Sequence, residues 1–239
     1  MLHSNKEYFN ENMRKPEAVI FDMDGVLIDS EPIHVEIEKK LYANLGIEVT
    51  EAVHRSFMGA SNDFMYTDLR SRFKLTDSVS ELMKQDELYR SEYFRLLETI
   101  PVNDGVISLL SEIKSAGLKL AVATSSSPEI VNILLNKCGI ASFFDAIVTT
   151  SEAGKSKPSP DVYLLAAKKI DVSPDNCIVF EDSPNGLLAA KSAGMCCIVI
   201  QSDKETLKAL SDADYLIKSF REITIDKLTD IFSFNKIAD

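Results

Sequence analysis

The chain has 239 residues, of which 45% are hydrophobic and 26% charged, with a net charge of −11 and a pI near 4.8. This length supports a substantial core with room for an insertion. The acidity, with no dense Lys/Arg stripe, argues against a nucleic-acid binder. The polar start "MLHSNKEYFNENMRKPE" has no signal-peptide core and no apolar run approaches a membrane span, so the expectation is a cytoplasmic protein.

The first apolar run, Ala18–Phe21, ends on Asp22-Met23-Asp24-Gly25. From about Ser30 to Val102 no strand pattern follows. Ile33, Ile37, Leu41 and Leu45 instead repeat every four residues up to Gly46, and further helical patterns run over Asn62–Phe73 and Ser78–Leu97. That is too much helix for a simple crossover between strands, so the segment is expected to be a helical bundle inserted after the first strand.

Leu118–Ala123 is the next apolar run and ends on Thr124. Ser127-Pro128 then has the form of an N-cap and first helical residue, with Ile130, Val131, Leu134, Leu135 and Cys138 on one face and Gly139 as the stop. Ala146–Val148 is a third strand, and Ser159-Pro160-Asp161 opens another helix. Cys177–Phe180 runs into Glu181-Asp182, Ser183-Pro184 opens a helix closed by Gly194, and Cys196–Ile200 follows. A short strand at Tyr215–Ile217 and a last helix complete the chain. Strands that are apolar throughout and alternate with helices predict an α/β fold, a doubly wound parallel sheet with both faces covered. Cys138, Cys177, Cys196 and Cys197 lack zinc-site spacing and are expected to be buried, reduced thiols.

In such a sheet the ligand site lies at the carboxyl ends of the strands, where Asp22 and Asp24 fall. Two neighbouring carboxylates call for a cation, and Mg²⁺ suits carboxylates joined by a phosphate oxygen. A carboxylate can also attack phosphorus. The other reading is an acidic loop capping the next helix. A calcium loop does not fit, because Gly25 comes too early and no helix enters. Thr124 can donate to a phosphoryl oxygen or belong to a capping cluster; Lys157 can neutralise a phosphoryl group or be solvated; Glu181-Asp182 can hold a metal or cap a helix. Together these features put two acid pairs, a hydroxyl and a lysine on one sheet edge. "AGKS" at Ala153–Ser156 is not a phosphate loop, since Thr149 stands where its first glycine belongs, and no GxGxxG opens a helix.

With these residues in place, the chain resembles the haloacid dehalogenase-like phosphohydrolase superfamily over about Glu17 to Leu228. "DMDGVLIDSE" is similar to its first motif, Thr124 to the second, Lys157 to the third and "EDSPNG" to the fourth, and the subgroup it most resembles is the β-phosphoglucomutase-like one. The resemblance implies a Rossmann-like core over 1–29 and 103–239, with an α-helical cap over 30–102. It implies Asp22 as nucleophile and Asp24 as general acid/base. Mg²⁺ would be held by Asp22, the backbone carbonyl of Asp24 and Asp182, with Glu181 close by or ligating, while Thr124 and Lys157 hold the phosphoryl group. Candidate substrate-binding residues are Gly25, Ser125, His34, Gly59, Asn62, Ser183 and Asn185.

An acid at position 24 favours phosphoryl transfer over dehalogenation. In the mutase an arginine after the cap-loop glycine grips a second phosphate; here Asn62 and Met58 stand where basic residues would. The expectation is therefore a phosphatase acting on a small phosphorylated metabolite, with a mutase as the alternative and no nucleic-acid, membrane or obligate protein partner. A receiver-type phosphoacceptor or silent binding module fits less well, since a receiver places its acid pair before the phosphoacceptor.

Overall fold

The computed structural model describes residues 14–57, 62–201 and 206–235. Six strands form one sheet: β1 (Ala18–Phe21), β2 (Lys119–Thr124), β3 (Ala146–Thr149), β4 (Cys177–Glu181), β5 (Cys196–Ile200) and β6 (Tyr215–Ile217). Their order is β3-β2-β1-β4-β5-β6, and every pair is parallel. β1 is therefore central, with Ala18 level with Lys119 on one side and Cys177 on the other.

Side chains alternate across a strand, and the core divides accordingly. Val19 and Phe21 join the cluster on one face, while Ala18 and Ile20 join that on the other. Phe21 stacks on Phe180 of β4 with ring centroids 4.9 Å apart, a contact worth about 1 kcal/mol beyond its burial.

The helices are α1 (Glu31–Asn44), α2 (Glu51–Ser56), α3 (Asn62–Phe73), α4 (Val79–Leu96), α5 (Val106–Ser115), α6 (Pro128–Lys137), α7 (Thr150–Ala153), α8 (Asp161–Lys169), α9 (Pro184–Ser192) and α10 (Ile225–Asn235). The caps read from sequence do their work: Ser127 Oγ accepts from Ile130 N, and Ser183 Oγ accepts from Gly186 N at 3.0 Å. The strands ending on Thr124 and Glu181 run one residue further than the apolar runs suggested, because the backbone ladder ignores side-chain polarity.

α1 to α4 lie between β1 and β2 and have an apolar cluster of their own around Tyr42, Met65, Tyr66, Leu69 and Leu82. The insert leaves and returns through paired linkers. Ile28 bridges Val102 in antiparallel fashion, and Asp29 N donates to Pro101 O at 3.0 Å. Cys177, Cys196 and Cys197 are buried, Cys138 is half-buried, and all four are free thiols. Among the described residues no helix is long and apolar enough to cross a membrane.

Candidate active site

β1, β2 and β4 end side by side, so the register alone brings Asp22, Thr124 and Glu181 to one edge. Asp22 N donates to Phe180 O at 2.9 Å, which fixes its backbone. Lys157, from the loop after α7, reaches under this edge. Its Nζ donates to Asp22 Oδ1 at 2.5 Å, to Glu181 Oε1 at 2.7 Å and to Ala123 O at 3.2 Å. The ammonium also lies 4.9 Å from the centre of the buried Tyr163 ring. All three of its protons are used.

Glu181 is saturated. Oε1 accepts from Lys157 and from Tyr163 OH at 2.6 Å; Oε2 accepts from Asp182 N, Ser183 N and Ser183 Oγ. The expectation left Glu181 close to a metal or ligating it; here both of its oxygens are engaged by protein donors. With five donors on two oxygens, it holds Lys157 and shapes the start of α9. Ser183, expected to meet substrate, spends its hydroxyl on Glu181 and on capping α9.

Asp24 is held differently. Oδ1 accepts from Ser30 Oγ at 2.7 Å and pairs with His34 Nε2 at 3.1 Å, and Oδ2 accepts from Ser126 Oγ at 2.6 Å. Ser30 is the N-cap residue of α1 but makes no side-chain cap, because its hydroxyl is committed to Asp24. Arg90 Nη1 lies 3.0 Å from His34 Nδ1. A guanidinium only donates, so Nδ1 accepts and Nε2–H faces Asp24. Arg90 is fixed in turn by Asp86 Oδ1 at 2.6 Å and Glu38 Oε1 at 3.3 Å. The side chains of Asp24 and His34 remain about one quarter exposed (26% and 25%), enough to meet a ligand.

The electrostatics divide the acids. Burial pushes Asp22 up to about 7; Lys157 opposes this, and the neighbouring Glu181 and Asp24 add to it. Burial likewise pushes Asp182 up to about 8, with Glu181 and Asp22 reinforcing. Burial would raise Asp24 too, but the hydrogen bonds from His34, Ser126 and Ser30 outweigh it and bring it down to about 2. Glu181 is lowered, since Lys157 and Tyr163 outweigh its burial, and Lys157 is raised, since its two carboxylates outweigh its own burial.

Asp182 packs against the loop after Asp24, because a Cβ placed on Gly25, where φ is +77°, would come within 1.9 Å of Asp182 Oδ2. Gly25 is therefore required on both counts. No group of three or more His, Cys, Asp or Glu side chains among the described residues surrounds a common metal position. The donor set still fits a hard divalent cation: Asp22 and Asp182 are carboxylates raised by burial, with neighbouring acids adding to the shift, and a bound cation would offset their charge.

Thr124 is buried, with Oγ1 accepting from Ser126 N at 3.1 Å, and Ser125 beside it is exposed. Asn62 is exposed at the start of α3 and Asn185 is exposed in the first turn of α9, while Gly59 and Met58 lie outside the described residues. Ser30, Arg90, Ser126 and Tyr163 were missed by the sequence reading. Only Ser126, inside "TSSS", carried a local signal. A groove of about 390 Å³ lined by Pro128, Val131, Ile147 and Thr149 contains none of Asp22, Asp24, Lys157 or Asp182.

A central parallel strand that delivers one carboxylate to a lysine and a second to a helical insert defines a hydrolase of the haloacid dehalogenase-like kind. The family model of that description matches residues 16–194, and the chain belongs to the family. More closely, it falls in the β-phosphoglucomutase-like branch. It is 36% identical to the phosphorylated carbohydrates phosphatase of Thermotoga maritima, over 75% of this chain and 82% of that one. It is 30% identical to hexitol phosphatase B of Escherichia coli K12, over 89% and 94%. The structure of the β-phosphoglucomutase of Clostridium difficile superposes with a TM-score of 0.79 at 27% identity, covering 93% of this chain and 99% of that one.

Proposed function

We propose that this hydrolase cleaves a small phosphate monoester, a sugar phosphate or related organophosphate, through a phosphoryl-Asp22 intermediate. The observation that carries the reading is the unequal treatment of two acids two residues apart. Asp22 is buried against Lys157, while Asp24 stays partly exposed under Ser30, Ser126 and the cap histidine.

Asp22 attacks phosphorus, and the P–O bond to the leaving group breaks. Asp24, which takes up a proton as substrate binds, gives it to the leaving oxygen. It then takes a proton from the water that attacks phosphorus, the phosphorus–Asp22 bond breaks, and phosphate is released. Asp24's low pKa suits the second step, where it must be ionised. Lys157 offsets the charge gathered on Asp22 and the phosphoryl oxygens, and the Thr124 hydroxyl can donate to one of them. Asp22, Asp182 and the backbone carbonyl of Asp24 would hold Mg²⁺, which when bound neutralises phosphoryl charge.

Hydrolysis is favoured over mutase action because Asn62 is a neutral amide. It cannot grip a second phosphate as a bidentate guanidinium does. The names of the two phosphatase relatives support the same side. The test is to incubate the protein with Mg²⁺ and β-glucose 1-phosphate, with and without a trace of glucose 1,6-bisphosphate, then with a panel of sugar and polyol phosphates. Phosphate release without isomerisation, abolished by a chelator and by Asp22→Asn, is expected. Glucose 6-phosphate without net phosphate release would overturn the hydrolytic reading. Turnover retained in Asp22→Asn would overturn the nucleophile.

A further inference from the structure

The loop after Asp24 is tightly wound. Gly25 N donates to Ile28 O at 2.8 Å, and Leu27 N and Ile28 N both donate to Met23 O. The outward carbonyls of this loop converge on one residue. Asn103 Nδ2 donates to Gly25 O at 2.8 Å and to Val26 O at 2.7 Å, while Asn103 N donates to Leu27 O at 3.0 Å. Three consecutive carbonyls are thus held by a single side chain and its own amide, and both hydrogens of Nδ2 are used.

Asn103 stands where the chain returns from the insert. On one side the two linkers are paired at Ile28–Val102 and Asp29–Pro101. On the other, Asp104 forms an ion pair with Arg221, and Gly105 packs on the backbone of Phe220 and Arg221. The asparagine is therefore anchored to the core just after the returning linker ends. It faces the backbone that sets both where Asp24 points and how Gly25 lies against Asp182.

We infer that Asn103 is a positioning residue for Asp24: it ties the Gly25–Leu27 carbonyls to the returning linker and so keeps the acid in line with the leaving oxygen. The inference rests on the proposed role of Asp24 as proton donor. A residue acting through that donor matters only where the leaving group needs a proton. A sugar alkoxide needs one and p-nitrophenolate does not. kcat/KM reads the reaction up to departure of the leaving group, so it isolates this step.

Asn103→Ala should lower kcat/KM for the best sugar phosphate of the panel about 10- to 100-fold, part of the full effect of a general acid. The change with p-nitrophenyl phosphate should stay within about 3-fold, as that ester bypasses the donor. Asn103→Ser, which keeps one donor, should fall between wild type and Asn103→Ala, and it serves as the test should the alanine variant not fold. Equal losses on both esters, a loss that merely follows the melting temperature, or no loss would overturn the proposal. Asp24→Asn is run beside them. If it discriminates between the esters while the Asn103 variants do not, Asn103 has no such role. If it does not discriminate, the proton-donor assignment fails, and the proposal with it.

Discussion

Arg90 is the most heavily committed cation in the insert, and cutting one of its ties has a calculable cost. Its side chain is 10% exposed and that of Asp86 only 3%, with Nε and Oδ1 at 2.6 Å one helical turn apart on α4. Removing one partner of a buried pair costs about 3–5 kcal/mol, because the other charge stays buried. Asp86→Ala leaves Arg90 with Glu38, whose side chain is 21% exposed and 3.3 Å away, so the lower figure of about 3 kcal/mol applies. At about 2–4 °C per kcal/mol for a chain of this size, the melting temperature should drop by about 6–12 °C. The double variant Asp86→Leu/Arg90→Met, apolar on both sides, should recover only part of that loss, since it also removes Arg90 from His34 and Glu38. Chemical denaturation of wild type, Asp86→Leu, Arg90→Met and the double variant gives the coupling energy directly. A single-variant cost below about 1 kcal/mol, or a coupling near zero, would refute the claim that this pair is buried and mutually dependent.

Two further substitutions probe the support of Lys157. Gly186→Ala would place a Cβ 1.8 Å from Glu181 Oε1, whose carboxylate is pinned by its donors; stability should fall by about 2 kcal/mol or more and phosphatase turnover should collapse, as a melt and a phosphate-release assay would show. Tyr163→Phe removes one donor from Glu181 Oε1 without changing the packing around it; about 1–3 kcal/mol of stability should be lost, with a several-fold drop in kcat that Tyr163→Ala exceeds.

The strands were legible because a central parallel strand has no solvent face. Ala18–Phe21 and Cys177–Phe180 are apolar throughout, and the acids after them mark where burial ends. The caps at Ser127 and Ser183 were legible because capping is local. α2 and α7, at six and four residues, are too short to show a period. The residues at strand ends, Asp22, Thr124 and Glu181, could be read from the apolar runs, whereas His34 came only through the resemblance. Arg90 reaches His34 across 56 positions, and Asn103 reaches Gly25 across 78. No spacing rule connects residues so far apart. Glu181 was left open for a related reason: its position marks it as an acid at a strand end, but which donors it faces depends on where Lys157 and Tyr163 come to lie.

The insertion point of the helical segment also governs how the molecule comes into being. β1 leaves the ribosome before the other strands of its sheet, yet its two neighbours begin at Lys119 and Cys177. The insert carries its own apolar cluster and can consolidate as soon as it is made. β1 must wait, fully apolar, without either neighbour until Lys119–Thr124 is made and without its second until Cys177–Glu181 is made. Within the sheet, the strand that carries Asp22 is thus made before the other five and gains its second neighbour only with β4, which leaves an apolar edge uncovered in the growing chain.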